Sequence, residues 1–198
     1  VPGADLPHVH MLRTLSDGIH LRKHGEDASR VVVIGSGFIG LEVAASLRNW
    51  GAEVTVVGRE DTPMEHALGQ ELGLAVQELH EEHGVTFCLH RDVTEITRDG
   101  VLLDNGKRLP ADLVVVGIGV DPRTELAEAA GLDVNDGVIV NRCMRTSASN
   151  VWAAGDIARY PYNGSTARIE HWTVAERQGQ AVAMDMLGEH RPFNDAPY

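Results

Sequence analysis

The chain has 198 residues, enough for one large or two small domains with buried cores. It carries 29 acidic against 17 basic residues, and a net charge of −12 repels phosphate backbones, which argues against a nucleic-acid partner. No apolar run approaches the roughly 20 residues that span a bilayer, so we expect no membrane partner. Its two cysteines are far apart and predict neither a disulfide framework nor a metal site, which favours a cytoplasmic protein.

In chain order, the first thirty residues show no sustained period apart from one short helix at 16–23. Residues 31–34 form a β-branched run typical of a buried parallel strand. An amphipathic helix follows and ends at Gly51. Its predicted buried face consists of Ile39, Val43, Leu47 and Trp50. A second strand at 53–57 completes a β-α-β unit.

The remaining elements continue this alternation. A second helix ends at Gly84, and its predicted apolar face consists of Leu68, Leu72, Ala75, Val76 and Leu79. Asp-Gly and Asn-Gly turns then separate three short strands, which predicts a β-meander. The other predicted elements are strands at 85–89, 113–116, 138–140 and 151–153 and helices at 124–130 and 173–187. The pattern predicts an α/β fold with a Rossmann-like, three-layer domain.

A glycine-rich turn lies between the first buried strand and its helix. It reads Gly35-Ser36-Gly37-Phe38-Ile39-Gly40. A GxGxxG motif alone is a weak signal, but here it has the strand, helix and second strand that a dinucleotide site requires. Gly35 permits the tight turn, Gly37 leaves room for a pyrophosphate, and Gly40 permits close helix packing. Since the helix N-terminus attracts phosphates, we predict that this turn binds a dinucleotide.

The end of the second strand bears on the choice between NAD and NADP. Gly58 stands where an acidic residue usually binds the ribose 2′-hydroxyl. The next residue, Arg59, is suited to a 2′-phosphate, whereas Glu60 would repel one. A solvated loop explains both charges equally well, so the pattern leaves the preference open.

A second turn of interest is Gly155-Asp156, after an apolar stretch at 151–154. The glycine allows a ligand to approach the backbone, and the aspartate carboxylate is able to accept a hydrogen bond from a sugar-like hydroxyl. Alone the pair is weak evidence, because Gly-Asp is common in turns and aspartate often caps helices.

Five stretches in this order resemble the pyridine nucleotide-disulfide oxidoreductase superfamily, and within it the ferredoxin reductase-like and apoptosis-inducing-factor-like flavoproteins. These stretches are residues 2–14, 35–42, 116–120, 152–156 and 169–179. The resemblance implies that the glycine turn holds NAD(P)H, with Glu42 near the nicotinamide, and that Gly117, Ile118 and Gly119 line the nicotinamide channel. It also implies an FAD site that includes Gly155, Asp156, Glu170, His171 and Trp172.

The same resemblance implies a domain organisation. Residues 1–15 would be a linker or remnant of the FAD domain, and 16–120 the NAD(P)-binding domain. Residues 121–190 would return to the FAD domain, and 191–198 would begin a C-terminal interface domain. We expect the first flavin-binding half and most of the interface domain to lie outside this sequence, which would leave it unable to retain FAD by itself.

The implied activity is hydride transfer from NAD(P)H to FAD, followed by electron transfer to a ferredoxin or Rieske-type iron-sulfur protein. Hydride transfer needs two aligned rings rather than an acid-base triad, and Glu42 and Trp172 are the candidate catalytic side chains. Two alternatives remain open. One is a disulfide, peroxide or oxygen reductase of the same superfamily, and the other is a non-catalytic NAD(P)-binding module.

Overall fold

The computed structural model describes residues 1–195, and the chain divides into two compact units between Gly119 and Val120. The strands of the parallel sheet in the first unit are β1 (Val9–Met11), β2 (Arg30–Ile34), β3 (Glu53–Val57), β4 (Val85–Cys88) and β8 (Leu113–Val116). Its helices are α1 (Leu15–Gly25), α2 (Phe38–Asn49) and α3 (Glu65–Glu82). The sheet order is β1-β8-β2-β3-β4, and every pair is parallel. The predicted α/β fold is confirmed.

The alternation along β2 explains the three layers of this unit. Val31 and Val33 point into a core that includes residues of α1 and α2. Val32 points into the opposite core, which is closed by an antiparallel meander. The meander consists of β5 (Val93–Thr97), β6 (Gly100–Leu103) and β7 (Arg108–Pro110). Because both faces of the sheet are covered, the central strands β2 and β8 are apolar except for Arg30 at the start of β2, as buried parallel strands usually are.

The predicted buried face of α2 is partly wrong. Val43 and Leu47 are buried, but Ile39 and Trp50 are 45% and 42% exposed. The buried face instead includes Leu41 and Ala44. The helix packs on the sheet through Gly40, and this contact sets the rotation of the helix about its axis.

The predicted apolar face of α3 is also partly wrong, although Val76 does pack against the core. Leu72 and Leu79 are 56% and 54% exposed, whereas the buried residue of this helix is Gly73. Gly69 has φ 76° and ψ 169°, so it interrupts the helical conformation. Leu68 lies before this break and the other four predicted residues lie after it, so Leu68 does not share their helical face. Gly73 packs closely against Thr62, where an added Cβ would lie 2.6 Å from the hydroxyl oxygen.

The second unit consists of a small sheet and two helices. Its elements are α4 (Glu125–Ala129), β9 (Val138–Ile139), β10 (Ala158–Tyr162), β11 (Ser165–Ala167) and α5 (Trp172–Met186). The sheet order is β11-β10-β9, with β10 antiparallel to β11 and parallel to β9. The core consists of Val140, Met144, Ala158, Tyr160, Val174 and Phe193.

In this unit one predicted strand is not formed and one hairpin was not predicted. The strand predicted at 151–153 is reduced to one bridge between Trp152 and Arg145, because its partner segment is a turn rather than a strand. The β10–β11 hairpin is absent from the predictions, although its Asn163-Gly164 turn is a strong signal. Both turn residues have positive φ, 48° and 80°, as a type I′ hairpin requires.

The boundary between the two units lies close to the predicted end of the NAD(P)-binding domain at residue 120. Within 1–15, β1 lies at the edge of the parallel sheet beside β8. The assignments of residues 1–15 and 121–190 to a flavin domain stay predictions. Part of the predicted interface-domain segment, residues 196–198, lies outside the described residues. Among residues 1–195, no helix has the length and apolarity that a membrane crossing needs.

Candidate functional site

The glycine turn begins where β2 ends. Gly35 has φ 113°, a conformation that residues with a side chain rarely adopt. A Cβ on Gly35 would lie only 2.2 Å from the carbonyl oxygen of Gly117. The Gly35 N–H donates to the carbonyl of Val57 at 2.8 Å, which ties the turn to the end of β3. A side chain at position 35 is therefore excluded on steric and conformational grounds.

The other two glycines of the motif differ in the space that a side chain would have. A Cβ on Gly40 would lie 2.1 Å from the carbonyl oxygen of Gly35, so this glycine sets the close approach of α2 to β2. A Cβ on Gly37 would meet nothing within 4 Å, so the space above Gly37 is open. Gly37 is the N-cap residue of α2, and no side chain caps the helix. Backbone N–H groups of the first helical turn thus remain available to an anion.

Ser36, in the same turn, forms its hydrogen bonds within the protein. It is 3% exposed, and its hydroxyl donates to Glu60 Oε2 at 2.9 Å. Its carbonyl accepts from the N–H of Met64 at 3.0 Å. Burial alone would raise the pKa of Glu60, but hydrogen bonds from its own backbone and from Ser36, with His66 nearby, outweigh burial and lower the pKa. Glu60 is therefore an ionised carboxylate held against the glycine turn.

The two residues before Glu60 differ in their surroundings. Gly58 is buried, and a Cβ there would lie 2.4 Å from the hydroxyl oxygen of Ser36. The side chain of Arg59 is 79% exposed and forms an ion pair with Asp92. The position at which an acid is usual in such folds thus has no room for one here.

The segment after β8 completes one edge of the sheet. The Gly117 N–H donates to the carbonyl of Ile34 at 2.8 Å, Gly119 has φ 102°, and Ile118 is 75% exposed. Since β8, β2 and β3 are neighbours in a parallel sheet, the segments that follow them meet at its carboxyl edge. The structure therefore brings together the predicted residues of 35–40, 58–60 and 117–119. Phe38 and Ile39 are exposed at this edge.

Glu42 lies in the second turn of α2 and is exposed. Together with Leu12, Ser46 and Trp50 it borders a groove between α1 and α2. Its predicted position near a nicotinamide stays a prediction.

In the second unit, the Gly155-Asp156 turn is held by two side chains that the sequence interpretation missed. The Gly155 N–H donates to Gln178 Oε1 at 2.7 Å, and Gln178 is fully buried in α5. Arg168 Nη1 donates to the carbonyl of Asp156 at 3.2 Å. Gly155 has φ 82°, and the residue Asp156 is exposed. The sequence did contain a signal for Gln178, because this polar residue lies one helical turn after Val174 and therefore on the same face of α5.

The three predicted flavin-site residues at 170–172 lie at the N-terminal end of α5. Glu170 forms an ion pair with Arg168. His171 is the N-cap residue, and its Nδ1 accepts from the N–H of Thr173 at 3.2 Å. The ring of Trp172 lies nearly parallel to that of His171, with centroids 6.3 Å apart. Trp172 is 74% exposed, so it is a surface aromatic rather than a core residue.

Within the described part of the chain, the structure supports neither a metal site nor a disulfide bond. Residues 1–195 contain no group of three or more histidine, cysteine, aspartate or glutamate residues placed to hold a metal ion. Both Cys88 and Cys143 are free thiols, one in each unit.

A parallel sheet with a glycine turn at its carboxyl edge defines the class of dinucleotide-binding proteins. Comparison with known proteins is more specific. Residues 1–179 match the family model described as pyridine nucleotide-disulphide oxidoreductase. The chain therefore belongs to this family, as its motifs predicted.

Relatives and solved structures agree with this assignment. Rhodocoxin reductase of Rhodococcus erythropolis is 40% identical over 205 residues, which cover 100% of this chain and 48% of that protein. The ferredoxin–NAD(+) reductase component of the anthranilate 1,2-dioxygenase system of Burkholderia cepacia is 39% identical over 96% of this chain and 48% of its own length. The ferredoxin reductase of the CYP199A2 system from Rhodopseudomonas palustris superposes with a TM-score of 0.96 at 39% identity, covering 100% of this chain and 50% of that one. The chain thus spans about half the length of these relatives.

Proposed function

We propose that the chain contributes the NAD(P)H site and part of the FAD site of a cytoplasmic reductase that passes electrons to a ferredoxin or Rieske-type iron-sulfur protein. The observation that carries the proposal is the glycine turn: two glycines are sterically required, and the third faces open space above an uncapped helix N-terminus. That arrangement suits a pyrophosphate, whose charges the free N–H groups stabilise.

The first unit has residues suited to each part of a nicotinamide dinucleotide. The glycine turn would hold the pyrophosphate, with Phe38 and Ile39 providing N–H groups. The 58–60 segment would face the adenosine ribose, and Gly117 to Gly119 would face the nicotinamide. The exposed Ile118 supplies an apolar surface there. Glu42 would position the nicotinamide end.

The second unit fits a flavin nucleotide at the Gly155-Asp156 turn. Gly155 permits close approach, and the exposed Asp156 carboxylate would accept hydrogen bonds from ribityl hydroxyls. Glu170, His171 and the exposed Trp172 would lie beside the flavin ring. Bound nicotinamide and flavin rings supply the hydride-transfer chemistry, so the protein's contribution is alignment and electrostatics.

The iron-sulfur acceptor is proposed from the names of the relatives. Two of them are named as a rhodocoxin reductase and as a ferredoxin–NAD(+) reductase component. Each aligns with almost the whole of this chain, including the segment that carries the Gly155-Asp156 turn.

Calorimetric titration of the chain with NADH tests the nucleotide site. We expect saturable binding, and we expect Gly37→Ala to weaken it at least about tenfold, which is a loss of about 1.4 kcal/mol. The new methyl group would enter the open space above the turn without touching the protein, so the thermal unfolding midpoint should stay near that of the wild type. Absence of binding to NADH and NADPH alike would overturn the proposal.

A further inference from the structure

We propose that Glu60 binds the adenosine ribose of the dinucleotide and makes this site prefer NADH to NADPH. The inference rests on the proposed function, and it resolves which of the residues at 58–60 faces the ribose. Gly58, Arg59 and Glu60 carry conflicting signals in the sequence, but their environments in the structure differ sharply.

Ser36 explains why the acid is not at position 58. Its hydroxyl fills the space that a side chain at Gly58 would need, since a Cβ there would lie 2.4 Å from the oxygen and 3.1 Å from Leu89 Cδ2. The same hydroxyl donates to Glu60 at 2.9 Å. The carboxylate of Glu60 therefore reaches back to the glycine turn from two residues further along the chain. Ser36 and Gly58 together relocate the acidic group.

The carboxylate of Glu60 keeps lone pairs for a ligand. Oε2 accepts from the Ser36 hydroxyl, and the backbone N–H groups of Arg59 and Glu60 also lower the pKa of the carboxyl. The remaining side-chain neighbour, His66, has its Nε2 4.0 Å from Oε1, beyond hydrogen-bonding distance. The Glu60 side chain is 29% exposed, so a ligand is able to reach part of it. A carboxylate at this place accepts hydrogen bonds from ribose hydroxyls. Its negative charge repels a 2′-phosphate.

The neighbouring charges do not offset this repulsion. Arg59 is the side chain suited to a 2′-phosphate, but it is paired with Asp92 and its charge is locally balanced. Arg91 donates through Nη1 to the carbonyl of His90. Asp61 adds a further negative charge beside Glu60 in the sequence and contacts the His90 ring at 3.2 Å. Residues 59–61 and 91–92 together carry two positive and three negative side chains, so this part of the surface is net negative.

Titration of the chain with NADH and with NADPH tests the assignment. We expect NADH to bind at least about tenfold more tightly, and we expect Glu60→Gln to reduce the ratio to within about threefold, mainly by strengthening NADPH binding. Glu71→Gln, on the exposed side of α3, is the matched charge control and should leave the ratio unchanged. Equal binding by the wild type, or an unchanged ratio in Glu60→Gln, would overturn the inference while leaving the proposed function intact. Binding of neither nucleotide would overturn both.

A second set of variants tests the relocation itself. Gly58→Asp should lower the unfolding midpoint, because its side chain collides with Ser36. Ser36→Gly combined with Gly58→Asp should recover the midpoint and keep the NADH preference, and Glu60→Gln should then no longer alter it. A Gly58→Asp protein as stable as the wild type would show that Ser36 does not exclude an acid at position 58.

Discussion

At the residue scale, the glycines of the nucleotide turn are not interchangeable. Gly35 and Gly40 are required by the protein's own backbone, since an added Cβ at either would lie within 2.2 Å of a carbonyl oxygen. Gly37 has no such constraint within the chain. A ligand in the open space above Gly37 would give a steric reason for the missing side chain, so this glycine bears on function more than the other two do.

This difference predicts that alanine destabilises the fold at position 40 and leaves it almost unchanged at position 37. Gly40→Ala forces α2 away from β2, so we expect a loss of about 2 kcal/mol in the free energy of unfolding, typical of overpacking. Gly37→Ala should leave that free energy within about 0.5 kcal/mol of the wild type, as surface substitutions usually do. Urea unfolding of both variants measures the two values. Similar losses in the two would contradict the steric distinction.

At the element scale, one buried carboxylate attaches α5 to the segment before β10. Asp185 is 2% exposed. It accepts from Arg145 Nε at 2.5 Å and from Trp152 Nε1 at 2.8 Å, and its other oxygen contacts His190 Nδ1 at 2.7 Å. The hydrogen bond from Arg145 is the main reason that the pKa of Asp185 lies well below its ordinary value, while burial opposes it. The isolated bridge at Trp152 is thus supported by side chains rather than by a strand.

The direction of this pKa shift predicts a pH-dependent stability. A carboxylate with a lowered pKa in the folded state stabilises the fold above its unfolded value of 3.8, and the contribution fades as pH falls towards the folded-state pKa. Asp185→Asn should therefore lower the melting temperature by several degrees at neutral pH, and the difference should shrink below pH 3.8. Calorimetric scans from neutral to acidic pH measure it. Glu176→Gln, an exposed change on the same helix, is the control, and a pH-independent difference for Asp185→Asn would contradict the prediction.

At the scale of the whole molecule, the two compact units have separate cores. The first contains the parallel sheet with both its covering layers, and the second contains a small sheet and α5. All predicted NAD(P)H residues lie in the first unit, and all predicted FAD residues in the second. A domain needs its own hydrophobic core to fold independently, and the first unit has one.

Residues 1–119 produced alone should therefore fold cooperatively and bind NADH with an affinity within about threefold of the whole chain. Circular dichroism during thermal unfolding measures the first property, and calorimetric titration the second. Loss of NADH binding in a folded 1–119 protein would show that the second unit contributes to the nucleotide site.

The elements that the sequence predicts well are those with local causes. The β-branched run of β2 and the turn signals of the meander act over a few residues, and the structure has the strand and both hairpins. The first turn consists of Arg98 and Asp99, and Gly100 is already the first residue of β6. The α5 helix is also present within one residue of its predicted ends. The Asn163-Gly164 hairpin carried the same kind of local signal, so missing it was an omission rather than a physical limit.

The sequence by itself determined the α/β class and the glycine turn, because each depends on residue types at short, fixed spacings. It also determined the family, because five such local motifs follow one another in a characteristic order. Only the tertiary structure decided which faces of α2 and α3 are buried, because the close contacts of Gly40 with Gly35 and of Gly73 with Thr62 form between separate segments. It alone joined Ser36 to Glu60 across 24 positions and Gln178 to Gly155 across 23. Contacts of this kind depend on where the sheet and helices place distant residues, and no local pattern encodes that placement.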